Sequence, residues 1–429
     1  MSAPTPNQVS WVFLDMNSYF ASAEQHLRPE LRDKPVGVIP MVTESTCVIA
    51  ASVEAKRFGV RTGTIVPEAR RLCPDIKLVQ ARPETYVRLH HEIAACIDRH
   101  LPIHKAYSID EWAMRLIGRE RDPEVAAGIG ERMRREIWNE LSPYLRCSIG
   151  IAPTRLLAKI ACELQKPNGL TTLTVSDLPH RVAHLELRDL TGINKGIESR
   201  LNQHGIRTVE QLWNMTRQDA RAAWGSVIGS DWWAGFHGCD EPERPTRKRS
   251  MGHENVLEPR LRTEDGARQM LARLIYRLGT RLRREQMLAG RLNFFVRCKD
   301  QRGFSRDAPL GLVSDTPSLL RVFRSEWRHC PRFWEPPWIV GACVTHLVHE
   351  SQATGCLFGE PEQDNRLSRT LDIINRRWGP SAAFFGALHE CSHEMDEKIA
   401  FGRVPEIIER GVREPKHRSP PHHTQQECD

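Results

Sequence analysis

The 429-residue chain has no apolar run approaching the roughly 20 residues of a membrane span. With 40% hydrophobic and 27% charged residues, it reads as a soluble globular protein of two to four domains. Its first residues, MSAPTPNQVS, contain no apolar signal core, so the expected location is the cytoplasm. None of the 12 cysteines forms a C-x-x-C pair, which argues against a disulfide frame and for reduced, buried thiols. Cys391 and His393 are the nearest approach to a metal-ligand pair, and they stand isolated. No internal repeat is visible.

What the chain has is unevenly placed charge. Residues 241–300 carry 15 Lys/Arg against 8 Asp/Glu, so this segment alone equals the whole net charge of +7. A solvated face can look like this, but a basic block in an otherwise neutral chain also suits a polyanion, and nucleic acid is the leading partner.

Residues 11 to about 180 alternate short apolar runs with amphipathic stretches, as an α/β or α+β domain does. EPERPTRKRS, residues 241–250, reads as an exposed linker. Beyond it, Met270, Leu271, Leu274, Ile275 and Leu278 have helical spacing, and Leu292, Phe294 and Val296 alternate like a strand. A helix over 318–327 and a strand over 338–347 complete a small α+β module. The stretch from Val348 is polar, and its end is expected to be disordered.

Four stretches carry candidate chemistry. In FLDMNSYFAS, Asp15 stands where the strand Trp11–Leu14 emerges, and it reads either as a helix cap or as a functional acid. In AYSIDEWAMRL, Asp110 and Glu111 are neighbours on a strand or hairpin, and both reach one site only if the chain turns or bulges there. Together the three carboxylates suit a hard cation such as Mg²⁺. In APTRLLAKIACELQKPNG, Leu156, Leu157, Ile160 and Leu164 form a helical stripe that ends near Gln165. Lys159 and Lys166 lie about 10 Å apart along that axis, either on a solvated face or, for Lys166, near a phosphate. LTGINKGIESRLNQHGIRTVEQL reads as two short helices around a Gly-Ile-x hairpin, with Asn194 at the place of the usual second glycine as a residue that tolerates a left-handed backbone.

These stretches, with CVIAASVEAKRFGVRTG, occur in an order that resembles a Y-family translesion DNA polymerase over residues 11–212. KPNG is closest to the DNA polymerase IV (DinB) branch, whereas the loop at Ala50, Val53 and Lys56 looks more like the UmuC branch. The resemblance implies an α+β multidomain right-hand fold. A ferredoxin-like palm would comprise 1–21 and 82–180, small fingers 22–81, and a helical thumb with the helix-hairpin-helix 181–240. The linker at 241–250 would lead to an α+β little finger at 251–347 and a partly disordered extension at 348–429.

It further implies that Asp15, Asp110 and Glu111 are catalytic and, with the Met16 carbonyl, hold two Mg²⁺ ions. Phe20 falls at the steric gate beside Tyr19, and Lys166 contacts the triphosphate, with Lys56 and Arg57 as further nucleotide contacts. Ala50, Val53 and Lys56 replace the family's usual hydroxyl, phenol and guanidinium, so weaker nucleotide affinity is expected. Gly192, Asn194 and Lys195 of the hairpin, and Arg247, Lys248 and Arg249 of the linker, are the expected DNA contacts. The implied activity is low-fidelity, template-directed synthesis past damaged bases by a monomer, on primer-template DNA and dNTP. Gln352–Phe358 resembles a degraded sliding-clamp peptide. Two rivals are an inactive polymerase-like DNA- and clamp-binding protein and a nucleotide cyclase. The three retained carboxylates oppose the first, and the hairpin with the basic module opposes the second.

Overall fold

The apolar run beginning at Trp11 becomes the central strand of a sheet covered on both faces, which is why it does not alternate in polarity. In the computed structural model, residues 7–244, 247–300, 302–333, 335–353, 362–379, 382–386 and 388 are described. Residues through Glu243 form one compact unit, and a second begins at Arg244.

The first unit runs β1 (Trp11–Met16), α1 (Tyr19–Leu27), β2 (Val36–Ile39), β3 (Ala50–Ala51), α2 (Val53–Arg57), α3 (Val66–Leu72), β4 (Lys77–Gln80) and α4 (Pro83–Asp98). It continues with β5 (Ile103–Ala106), β6 (Glu111–Arg115), α5 (Pro123–Glu136), β7 (Cys147–Ala152), α6 (Arg155–Leu164) and β8 (Leu170–Thr172). Four helices follow: α7 (Lys195–Gln203), α8 (Val209–Asn214), α9 (Arg217–Trp224) and α10 (Val227–Phe236). The main sheet has the order β5-β6-β1-β7-β8, antiparallel except for β7–β8. Val12 and Leu14 face one core with Ile93 and Ile97 of α4 and Ala126 and Ile129 of α5. Trp11 and Phe13 face the other, with Leu157, Ile160 and Ala161 of α6. That second core continues into Ile197, Leu201, Val209, Leu212 and Phe236, so the helical segment after Leu190 is built onto the α6 side of the sheet. A smaller sheet, β3-β2-β4, packs with α2 and α3 around Val48, Ala55, Val66 and Ala69.

Gly150 decides how close α6 sits. A Cβ there would lie 1.9 Å from the Ala158 carbonyl oxygen and 2.3 Å from the Cys162 nitrogen, so only glycine admits the helix at this distance. Asp15 does not cap α1. The strand extends past it to Met16, and the N-cap is Ser18, whose φ is +53°.

The second unit comprises β9 (Ser250–Val256), α11 (Glu264–Arg284), β10 (Met287–Cys298), β11 (Gly303–Val313), α12 (Thr316–Trp327), β12 (Pro337–His349) and α13 (Glu362–Trp378). Its sheet has the order β11-β10-β12-β9, and Leu271, Leu274, Leu278, Leu319 and Phe323 of α11 and α12 cover Leu292, Phe294, Val340 and Val344. Strands β9 and β11 were not among the expected elements, because alternation over GFSRDAPLGLV is interrupted by charged and proline residues. The polar extension also holds more than expected. Helix α13 docks through Asp372, whose carboxylate takes a bidentate pair from Arg283 at 2.6 and 2.9 Å. The buried Arg283 guanidinium also donates to the Ser314 carbonyl at 2.7 Å. Ser368 of α13 accepts from the Thr316 amide at 3.2 Å. The final stretch expected to be disordered lies outside the described residues. No helix among the described residues is long and apolar enough to cross a membrane, and every described cysteine is unpaired.

Asp372→Ala leaves a buried guanidinium without its partner and is expected to remove about 3–5 kcal/mol from the second unit. Asp364→Ala breaks only the exposed Arg321 pair and is expected to change stability by less than about 1 kcal/mol. Thermal melting of both variants checks the contrast. Equal melting temperatures for the two contradict it.

Candidate active site

β1 and β6 pair with Asp15 directly opposite Glu111. Asp110 precedes β6 in a bend, where its carbonyl accepts the Met16 amide at 3.0 Å. Ser108 fixes this bend by donating its hydroxyl to the Asp110 carboxylate and accepting the Asp110 amide at 3.3 Å. Beneath it the buried His90 ring stacks on Trp112 at 4.7 Å, and its Nδ1 lies 2.7 Å from the Ile109 carbonyl oxygen. The chain therefore turns at Asp110, the condition under which neighbouring residues can serve the same end of the sheet.

The electrostatics there are strained by burial. Asp15 is 8% exposed, and desolvation pushes its carboxyl up to about 7; Lys166 pulls it down, while Asp110 and Glu163 push it further up. Desolvation also raises Asp110, opposed by the Ser108 hydrogen bond and reinforced by Glu111. Lys166 Nζ lies 2.8 Å from Asp15 Oδ2 and 2.6 Å from Glu163 Oε1. Desolvation disfavours its charge, but Asp15 and Glu163 outweigh that and hold the ammonium above the usual lysine range. Lys159 reaches both Glu111 oxygens, at 2.7 and 2.9 Å. Two lysines thus neutralise two of the three acids. Among the described residues, no three carboxylate, imidazole or thiol groups are gathered as a ready-made metal cluster.

The loop carrying Lys166 is tied to the strands by the side chains of Asn17 and Ser148. Asn17 Oδ1 accepts the Asn168 amide at 2.6 Å, and Asn17 Nδ2 donates to Ser148 Oγ at 3.0 Å. Ser148 in turn accepts the Gly169 amide at 3.4 Å. Asn168 has a φ of +62°, a conformation Asn tolerates better than most residues. The only sequence signal for Asn17 was a polar residue placed between a buried strand and a helix.

Tyr19 and Phe20 are both 3% exposed. Phe20 stacks on Tyr86 at 4.6 Å with planes 14° apart, and the Tyr19 hydroxyl donates to the Tyr86 carbonyl at 2.7 Å. Tyr86 is itself held by Glu24, a wholly buried carboxylate that accepts its hydroxyl at 2.7 Å and takes Arg82 at 2.7 and 2.9 Å. Glu24 was another unforeseen residue, since an acid inside an apolar helix gives no hint of its distant arginine. The Asn17 N–H is engaged within the fold, donating to the Arg146 carbonyl at 2.8 Å.

Lys56 lies exposed on α2, and desolvation and Lys166 lower it while Asp15 raises it, so it belongs to the same electrostatic neighbourhood. Arg57 is exposed beside it. In the hairpin, Gly192 takes the left-handed backbone with φ +94°, whereas Asn194 is extended at φ −90°. The expectation for Asn194 is corrected: its side chain caps α7 by accepting the Ile197 amide at 3.0 Å, and Lys195 is the first helical residue. Arg247, Lys248 and Arg249 are exposed, and Lys248 pairs with Glu285. Leu357 and Phe358 of the clamp-like peptide, and Cys391 and His393, lie outside the described residues.

Comparison with known proteins bears on what this arrangement is. The impB/mucB/samB family matches residues 14–163, and the C-terminal domain of the same family matches residues 248–355. DNA polymerase IV of Pelotomaculum thermopropionicum is 31% identical over 375 residues, covering 85% of this chain and 92% of the relative. DNA polymerase IV of Moorella thermoacetica is 30% identical over 380 residues, covering 86% and 94%. Among solved structures, a Y-family DNA polymerase chimera superposes with a TM-score of 0.65 at 19% identity, covering 79% of this chain and 99% of its own, which establishes the shared fold. The chain belongs to the impB/mucB/samB family, as a Y-family DNA polymerase of the DNA polymerase IV (DinB) type.

Proposed function

We propose that this chain extends a primer on a DNA template with dNTP by two-metal nucleotidyl transfer, at low fidelity and past damaged bases. The observation that carries the proposal is the strand pairing that sets Asp15 opposite Glu111 with Asp110 in the adjoining bend, where burial raises Asp15 and Asp110. The donor set suits a hard cation: three carboxylates, with the Met16 carbonyl as a fourth oxygen, lie at one strand end, where Lys166, Lys159 and the Ser108 hydroxyl offset their charge. Asp15, Asp110, Glu111 and Met16 would hold two Mg²⁺ ions, and bound Mg²⁺ would acidify the primer 3′-hydroxyl and neutralise developing charge on the phosphates.

The protein's own groups supply the rest. Lys166 would leave Asp15 for the triphosphate, because a phosphate oxygen offers the ammonium more negative charge than a carboxylate shared with Glu163 does. Lys159 would orient Glu111, and Asn17 would keep the Lys166 loop at the strand ends. Phe20 would exclude a 2′-hydroxyl by bulk alone, backed by the Tyr86 ring, which cannot retreat while Glu24 holds its hydroxyl. The small fingers segment, residues 22–81, would leave the nascent pair loosely checked, and the surplus bases after residue 244 would grip the duplex through its phosphates. The sliding-clamp contact proposed for Gln352–Phe358 rests on its sequence alone.

Primer extension with Mg²⁺ and dNTP tests the activity. Asp110→Asn keeps the shape but removes a ligand charge, and is expected to lose roughly 100- to 1,000-fold in extension rate while still binding primer-template. A rate within tenfold of wild type contradicts the assignment. Asn17→Ala frees the Lys166 loop and is expected to raise KM for dNTP several-fold with unchanged primer-template affinity. An unchanged KM removes Asn17 from the account. A folded Phe20→Ala enzyme is expected to use rNTP at least about tenfold better relative to dNTP. If Phe20 is only core and Tyr19 faces the sugar, the same variant loses about 3–5 kcal/mol of stability with no change in that ratio.

A further inference from the structure

A second anion-binding arrangement lies about one turn of α6 before Lys159, the partner of Glu111, and the chain fills it itself. Arg155 opens α6 four residues before Lys159, so the two bases are about 6 Å apart along the helix axis. Arg155 Nε is 3.1 Å from Glu243 Oε1, and Lys105 Nζ is 2.7 Å from Glu243 Oε2. The Tyr107 hydroxyl donates to the same carboxylate. Guanidinium, ammonium and phenol therefore converge on one anion. The Tyr107 ring also lies within cation–π range of both cations, with its centroid 4.6 Å from the Arg155 guanidinium carbon and 4.7 Å from Lys105 Nζ.

Desolvation acts against the charge on Glu243, but hydrogen bonds from Lys105 and Tyr107, with Arg155 beside them, hold its carboxyl below the usual range. The acidic segment continues this pattern backwards along the chain, with Asp240 on Arg115 at 3.3 Å and Glu241 on Arg217 at 2.7 Å. None of these groups belongs to the proposed catalytic set. Tyr107 connects to it structurally: its amide donates to the Glu111 carbonyl at 2.9 Å, and its ring packs 6.1 Å from Phe13.

We propose that Lys105, Tyr107 and Arg155 form a binding cage for a backbone phosphate of the DNA strand whose 3′ end reaches Asp15, Asp110 and Glu111, and that Glu243 occupies this cage until DNA displaces it. Successive phosphates on one strand are separated by a distance similar to the step from Lys159 to Arg155. A strand ending at the carboxylates therefore brings one of its last linkages to the cage. A phosphate diester carries the same single charge as Glu243 and presents more acceptor directions to three donors. The inference rests on the proposed polymerase reading, but its readout is binding and needs no turnover.

The experiment measures primer-template affinity of the full chain, without dNTP or metal, across a series of salt concentrations. Removing the competing carboxylate in Glu243→Gln is expected to tighten binding roughly threefold or more. Lys105→Ala/Arg155→Ala is expected to weaken binding and to reduce the log–log salt slope by about one, as for one lost phosphate contact. Primers with a single neutral methylphosphonate, scanned across the 3′-terminal linkages, are expected to show one position that weakens wild type and leaves the double variant unaffected. Matched melting temperatures of the variants exclude unfolding as the cause. Unchanged affinities and slopes in both variants overturn the proposal and leave Glu243 as a staple for the chain. Absence of extension activity together with the expected binding pattern sinks the catalytic reading but not the cage.

Discussion

Repulsion between carboxylates held out of water is the constraint on which the rest of the first unit depends. Asp15 and Asp110 each lose solvation, and a neighbouring carboxylate adds to the cost of ionising each: Asp110 for Asp15 and Glu111 for Asp110. The chain keeps them there by giving β1 no freedom. It is flanked by β6 and β7 in full register, packed on both faces, and braced at its end by the Met16–Asp110 backbone hydrogen bond. The charge is balanced by Lys159 and Lys166, both on or just after one helix, α6, whose close approach is permitted by Gly150. Strand, helix and glycine serve one electrostatic problem. Cations that a substrate complex can replace or redirect suit a site that must change its ionic partners during a reaction.

The same economy of charge appears elsewhere. The segment 241–300 holds the net surplus of base, yet much of it is already engaged: Arg283 with Asp372, Arg281 and Lys248 with Glu285, Arg268 with Asp265, and Arg291 with Asp307. Most of these pairs are exposed and worth little in stability, so a polyanion can take the bases from their carboxylate partners at small cost. Arg283 is the exception, since it is buried and fixes α13 against the sheet. A net count therefore overstates the free positive surface and hides which arginine is structural.

How much of this was legible in the sequence depended on the range of each interaction. The strand at Trp11, the helix from Arg155 and the long helix from Glu264 follow from local periodicity, and each formed close to its expected place. Grouping Asp15 with Asp110 and Glu111 was suggested by their residue type and strand setting, and the resemblance gave them catalytic roles, because residues nearly a hundred positions apart meet only through strand pairing. Asn194 misled because a single-residue tolerance was considered and its N-capping power was not. Asn17, Ser148 and Glu24 were invisible, since their partners lie at Asn168, Asn17 and Arg82 and no spacing rule links them. Helix α13 was missed because the segment from Val348 is polar overall, although Leu367, Leu371, Ile374 and Trp378 carry helical spacing; its docking includes polar contacts through Ser368, Asp372 and Asn375.

The central claim is that the three carboxylates hold the divalent ions and that their lysine partners are placeholders. The most direct measurement is a crystal structure of the full chain with primer-template, a non-hydrolysable dNTP and Mn²⁺ in place of Mg²⁺, with the metal located by its anomalous scattering. The account predicts Mn²⁺ held by Asp15, Asp110 and Glu111, with Lys166 moved from Asp15 to the phosphates. Anomalous peaks absent from these residues, with Lys166 still paired to Asp15, would contradict it.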